Sequence, residues 1–133
     1  MNGINVNVYS NAKDGNKKLS ANFKVKEFAC SDGSDPVFIS PELVVVLQTV
    51  RDHFKKPVTI NSGYRTVGKN KAVGGAAYSQ HLYGTAADIQ IKGVAPKDVY
   101  TYVETLLPNT GGIGLYSTFT HVDVRKTKSR WKG

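Results

Sequence analysis

The chain has 133 residues, 40% hydrophobic and 21% charged, with 18 Lys and Arg against 10 Asp and Glu and a net charge of +8. That length suits one domain, the composition excludes a disordered chain, and no apolar run approaches the ~20 residues needed to cross a bilayer. Membrane insertion is therefore not expected, and a lone Cys30 excludes an internal disulfide, leaving it as a small packing residue.

Positive charge draws a protein toward polyanions, either nucleic acid or an acidic bacterial wall. The pattern of a recognition helix is missing, as is a ladder of aromatics interleaved with Lys and Arg, so no specific nucleic-acid partner is expected. The opening MNGINVNVYSNAKDGNKKLS has no apolar stretch behind early positive charge, so no secretory signal is expected either. Residues 1–18 are read as a strand and polar loop packed on or tethered to a domain spanning 19–133.

In chain order, Ile4, Val6 and Val8 alternate and predict a short strand over 3–9. Asn11 to Lys18 is polar and reads as a loop, and Phe23 to Phe28 alternates again as a strand before the turn-rich CSDGSDP. Ser40 caps a helix with Pro41 at its first position and Glu42 near its positive end. Leu43, Val46, Leu47, Val50 and Phe54 share one face of it, and it ends by Lys56. His53 falls at the solvent edge of this helix. Val58 to Asn61 predicts a strand, SGYRT a loop, and VGGAAYSQHLYG a glycine-rich approach to a clearer strand over Thr85–Ile91. Pro96 to Leu107 is a second amphipathic helix, with Val99, Val103, Leu106 and Leu107 inward and Pro108 ending it. Gly111-Gly112 turns the chain into IGLY, and Phe119–Arg125 is expected to be the last strand. Strands mixed with two helices, with no regular alternation of the two, predict an α+β domain with a mainly antiparallel sheet and both helices on one face.

Two strands carry the chemistry. Alternation puts Ala87, Ile89 and Ile91 on one face of the first and Ala86, Asp88 and Gln90 on the other. On the second, Val122 and Val124 oppose His121, Asp123 and Arg125. With the aliphatic faces buried under helices, Asp88, His121 and Asp123 converge on one open surface if the strands are neighbours. His81 precedes Asp88 by seven residues, and Gly84 lets the chain fold His81 back over it. Two imidazoles and a carboxylate suit a catalytic zinc, which keeps three protein ligands and a free fourth position. Each residue alone is as readily a paired surface group, and the case rests on their joint placement.

SGYRT, then NKAVGGAAYSQHLYGTAADI, then GGIGLYSTFTHVDVR resembles the M15 family of zinc D-alanyl-D-alanine peptidases, from about Leu19 to Trp131. The likeness is greatest to its small bacterial, prophage and phage members. It implies the small α+β domain shared with hedgehog signalling domains, zinc as cofactor, and His81, Asp88 and His121 as ligands. It implies that Arg65 grips substrate or a developing oxyanion, the alternative being a donor that only stabilises its loop. Ser79, Gln80 and Tyr83 are expected to contact substrate. The implied activity is hydrolysis of peptidoglycan peptides, as a D-Ala-D-Ala carboxypeptidase or an endopeptidase on cross-links or stem peptides. With no secretory signal expected, the resemblance suggests a monomer made in the cytoplasm that reaches the wall through phage or prophage lysis machinery.

One position departs from the pattern. Better-known members place an acidic base three residues before the second histidine, where this chain has Thr118. Asp123 is the substitute, either as a general base or as the group that orients His121. The rival readings are a metal-holding wall-binding module without turnover, and a nucleic-acid binder using the terminal RKTKSRWKG. In that second rival Trp131 stacks on a base, whereas the plainer expectation is a solvated tail with Trp131 docked on the domain.

Overall fold

The structure, a computed structural model, describes residues 5–133. Ile4, part of the first expected strand, lies outside the described residues. β1 (Asn7–Ser10) pairs antiparallel with β2 (Pro36–Ile39) in a two-stranded sheet. Between them, the polar stretch read as a loop opens with a single turn, α1 (Asn11–Asp14), because the Ser10 hydroxyl accepts the Lys13 amide and caps it.

The alternation at Phe23–Phe28 does not make a strand. Val25–Phe28 forms a 3-10 turn, and the Glu27 carboxylate folds back to accept the Lys24 amide at 2.7 Å. Residues three apart eclipse in such a turn, so Val25 and Phe28 both enter the core. The same hydrophobic pattern was therefore compatible with either geometry.

α2 (Pro41–Phe54) begins where expected, with the Ser40 hydroxyl accepting the Leu43 amide, and it closes on Lys55 in a left-handed conformation. Its buried stripe is Leu43, Val44, Leu47 and Val50, with Val46 and Phe54 half-buried beside it. His53 is exposed and stacks on Tyr102, their ring centroids 3.7 Å apart. After β3 (Thr59–Ser62) comes α3 (Val67–Ala72), a short helix capped by Thr66 that hydrophobic periodicity does not announce, since its single buried residue is Asn70. Next come β4 (Ala86–Gln90), α4 (Pro96–Leu106), β5 (Gly112–Leu115), β6 (Thr120–Asp123) and β7 (Ser129–Lys132).

The second sheet has the order β3-β4-β6-β5-β7, antiparallel except for the β5–β7 pair. β7 corrects the expectation that the basic tail is solvated and that β6 is the last strand. Arg130 explains why the tail is ordered: its guanidinium bonds Glu104 and the carbonyls of Leu107, Thr110 and Gly111, tying β7 to the end of α4. Trp131 does dock on the domain.

On one face of this sheet Ala87, Ile89, Ile113, Val122 and Val124 meet Leu43, Leu47, Val50, Val99 and Val103 from the two long helices in a single core. Burying a Leu- or Val-sized side chain stabilises by about 1.5–3 kcal/mol, so this layer fixes the register of β4 against β6. The architecture is α+β, as expected. Cys30 is buried and forms no disulfide. Among the described residues no helix is long and apolar enough to cross a membrane.

Candidate metal centre

The register of the five strands sets the site. Ser62 pairs with Asp88, Asp88 with His121, His121 with Gly114, and Gly114 with Trp131, so these residues form one row across the sheet. Side chains directly opposite on antiparallel strands share a face and lie ~4.5–5.5 Å apart at Cβ. Asp88 and His121 are thus brought together by pairing alone.

His81 comes from a 3-10 turn, Gln80–Tyr83, opened by the Ser79 hydroxyl and closed by Gly84 at φ 72. A Cβ on Gly84 would collide with the backbone of Phe38, so only glycine lets the chain reverse here. The reversal leaves His81 above β4.

One carboxylate oxygen serves both rings. Asp88 Oδ1 is 3.3 Å from His81 Nε2 and 3.0 Å from His121 Nδ1. Donor atoms of the three residues lie within 4.8 Å of one another, a set that can hold a metal ion. The outer atoms are all engaged. His81 Nδ1 donates to the Gly63 carbonyl at 2.7 Å, which puts a proton on Nδ1 and turns Nε2 toward Asp88. His121 Nε2 faces Asp123 Oδ2 at 2.7 Å, and Arg65 Nη2 donates to Asp88 Oδ2 at 3.4 Å. Partners of this kind fix the tautomer and orientation of a metal-binding side chain.

The face is not the open surface expected of it. Asp123 is 0% exposed, and Asp88, His81 and His121 are buried as well. Burial pushes the Asp88 carboxyl upward, yet its hydrogen bonds with His121 and His81 and their charges hold it well below the usual carboxylate range. The same opposition acts at Asp123, where His121 and Arg125 outweigh burial. Burial disfavours a charged His121, but the bonds and charges of Asp123 and Asp88 overcome it and raise its pKa.

Asp123 has no free oxygen to offer a substrate. Oδ1 accepts the Gly112 amide, the Arg125 amide and Arg125 Nε at 2.9, 3.1 and 2.9 Å, while Oδ2 accepts Arg125 Nη2 at 2.7 Å beside His121. Thr118 lies on the turn between β5 and β6, where its carbonyl accepts from Gln90 Nε2, away from the centre.

The centre opens into a cleft of about 560 Å³ lined by Arg65, Ser79, Gln80, His81, Asp88 and His121. Further along come the loop Val73–Tyr78 and an aromatic wall of Tyr116, Phe119 and Trp131, with Arg125 over the indole. Asp88 is the one carboxylate among the lining residues. Arg65 gives three of its five N–H groups to Ser62, Asn70 and Asp88, which leaves two for a ligand. The Gln80 side-chain oxygen accepts from Thr85, so its amide hydrogens remain available. Tyr83 is half-buried outside the lining; it sits one turn of the 3-10 segment beyond Gln80, about 6 Å farther along.

Asn70 was not singled out from the sequence, and Trp131 was read only as a residue docked on the domain or, in the nucleic-acid rival, as a base-stacking one. Trp131 packs its ring 4.9 Å from that of His121, and Asn70 bonds Arg65 at 3.2 Å. For Trp131 a cue existed in the single tryptophan of the chain. Asn70, polar and within a short polar helix, offered none.

Residues 20–123 match the family model described as Peptidase M15, and the chain belongs to that family. It is similar to the zinc D-Ala-D-Ala carboxypeptidase of Streptomyces albus G, 56% identical over 34 residues, covering 26% of this chain and 13% of that protein. It is also similar to the peptidoglycan L,D-endopeptidase MepK of Escherichia coli K12, 36% identical over 76 residues, covering 52% of this chain and 41% of that protein. The chain thus spans less than half the length of these curated relatives.

Proposed function

We propose that the protein is a zinc-dependent peptidase that hydrolyses peptide bonds of bacterial peptidoglycan, with zinc held by His81, Asp88 and His121. The observation that carries this reading is the placement of Asp88 Oδ1 between two imidazole nitrogens, at 3.3 and 3.0 Å. Ligands ~2.0–2.1 Å from a tetrahedral zinc stand roughly 3.3 Å from each other, which both Asp88–imidazole separations match, and all three donors lie within 4.8 Å of one another. Family membership supports a peptidase, the name of the Streptomyces albus G relative supports zinc, and that of the Escherichia coli relative supports peptidoglycan.

When bound, zinc supplies Lewis acidity that activates water and polarises a carbonyl near neutral pH. The protein's own groups do the rest. Arg65 keeps Asp88 Oδ2 turned outward, so that Oδ1 alone faces the rings, and its two spare N–H groups receive a substrate carboxylate or the oxyanion that develops during attack. Gln80 offers amide donors to the substrate backbone, and Ser79 holds the turn that carries His81.

Asp123 is assigned here to positioning His121, with Arg125 neutralising it from behind. Support comes from its full burial and its saturated oxygens. The lack of a second carboxylate in the cleft favours one alternative, a metal-holding wall-binding module without turnover. Monomeric action and an origin in phage or prophage lysis machinery belong to the same proposal and rest on the resemblance alone.

Purified protein carrying about one zinc per chain, incubated with peptidoglycan fragments, is expected to release new amino termini detectable by mass spectrometry. Intact fragments with the metal confirmed in place would leave the binding-module reading.

A further inference from the structure

The cleft carries aromatic side chains on both sides of the centre. One wall is tied to Ser62 on β3 and the other to Trp131 on β7, on either side of the Asp88–His121 pair in the same row. At the β3 end, Arg65 bonds Ser62, Asn70 bonds Arg65, and Asn70 Nδ2 donates to the Ala76 carbonyl at 2.9 Å while its own carbonyl accepts the Gly75 amide at 2.8 Å. The loop Val73–Tyr78 is thereby anchored at its middle while Tyr78 projects from it, 83% exposed, and lines the cleft. On the other side, the Tyr116 and Phe119 rings of the β5–β6 connection stack 4.4 Å apart, and the Tyr116 hydroxyl accepts from Trp131 Nε1 of β7 at 2.9 Å. A ligand that touches both walls must therefore pass over the Asp88–His121 pair between them.

An exposed aromatic on a tethered loop contributes nothing to the core. Single exposed apolar residues are ordinary, but Val73 and Tyr78, two of five large hydrophobics exposed in the described chain, both line this cleft. Tyrosine offers a large amphipathic surface with few rotors to freeze, which suits it to contact a ligand.

We infer that Tyr78 and the Tyr116–Phe119 stack are two substrate subsites flanking the centre, and that the ligand they select is an extended wall peptide that continues on both sides of it. This rests on the peptidase reading. The bond cut is then internal to a stem peptide or cross-link, with residues held on both sides of it. A substrate that ends one residue past the reacting bond leaves one wall empty.

The zinc-loaded protein is given two substrates, an acylated tripeptide ending in D-Ala-D-Ala and a purified cross-linked muropeptide dimer. For the dimer, Kd is read from Trp131, the single tryptophan, by its fluorescence. The wild type is expected to favour the dimer in kcat/KM. Tyr78→Ala and Phe119→Ala are each expected to lower the dimer-to-tripeptide ratio about tenfold and raise the dimer Kd by a similar factor, the size typical of losing one aromatic anchor. An unchanged ratio and Kd in both variants overturns the inference. Dimer binding that depends on Tyr78 without cleavage of either substrate overturns the peptidase reading and keeps the subsites.

Discussion

Asp123 meets His121 at Nε2, the imidazole nitrogen that points away from Asp88, at a separation of 2.7 Å. A proton acceptor for attacking water would have to reach the opposite side of the ring. On the reading proposed above, Asp123 instead fixes which nitrogen faces the centre and raises the basicity of that donor. Asp123→Asn is expected to weaken zinc binding by about 10–100-fold, the usual effect of losing such a partner. With zinc restored to saturation, the acidic limb of the kcat/KM profile should persist. Disappearance of that limb in the saturated variant would return Asp123 to the role of base.

Metal binding at this centre is expected to be coupled to protons in a definite direction. The raised pKa of His121 means that the metal-free ring keeps its second proton to a higher pH than an ordinary imidazole. Zinc must displace the one on Nδ1, so its apparent affinity should rise with pH and fall about tenfold per unit below the raised His121 value. Stability of the metal-free protein runs the other way. A histidine raised above its ordinary 6.5 stabilises fully below that value, and the contribution is lost as pH climbs through the folded-state pKa. Asp88 and Asp123, held below the ordinary 3.8, stabilise above it and lose their contribution only as pH falls through their depressed values. Thermal melts in chelator should therefore be highest between pH 3.8 and 6.5 as far as these three groups are concerned. Melts with zinc should gain most over chelator at alkaline pH. A zinc-induced shift in Tm that shrinks as pH rises would contradict this coupling.

The triad was legible because a strand has period two. Once Val122, Val124, Ala87, Ile89 and Ile91 are given to the core, Asp88 and His121 must share the other face, and one pairing register brings them together. The surroundings were not legible for the same reason in reverse. Asp123 alternates correctly, yet its complete burial depends on β5 and on Arg125, which no local pattern discloses. β7 pairs parallel with β5 and is held by Arg130 reaching the end of α4, so its order comes from contacts 19 to 26 residues away. The short helix α3 buries a single asparagine, and a helix without an apolar stripe leaves no periodic trace. At Phe23–Phe28 the failure was one of degeneracy, since spacing by two and by three both bury these side chains.

Trp131 occupies space that any side chain at position 114 would claim. The two residues are cross-strand partners, and a Cβ on Gly114 would stand 2.5 Å from the indole. Gly114→Ala is expected to push the ring off His121 and off Tyr116, at a cost of about 1–3 kcal/mol typical of overpacking. Lower Tm together with a red-shifted Trp131 emission would register the displacement. An unshifted spectrum would mean that the indole is free to yield and that its place against His121 is not enforced by the glycine.

Asn70 holds the guanidinium of Arg65 and the cleft loop in one hydrogen-bonded unit, accepting at Oδ1 and donating from Nδ2. Asn70→Ala removes both bonds and leaves the backbone link from Gly75 in place. Loss of a buried hydrogen-bonding side chain costs about 1–3 kcal/mol where partners stay unsatisfied, but here both partners border the cleft and water can replace part of the loss. Global stability is therefore expected to fall modestly, by about 1 kcal/mol in chemical denaturation. Local order should suffer more, because the loop keeps one anchor of two. Amide exchange across Val73–Ser79 is expected to accelerate about tenfold while α2 and β4 remain protected. KM for long wall peptides should rise more than kcat falls, since the zinc donors keep their own partners. Asn70→Asp keeps the acceptor for Arg65 and loses the donor for Ala76, and it should restore the guanidinium without restoring the loop. Equal recovery of both in the aspartate variant would show that the two halves of the unit are not linked through this side chain.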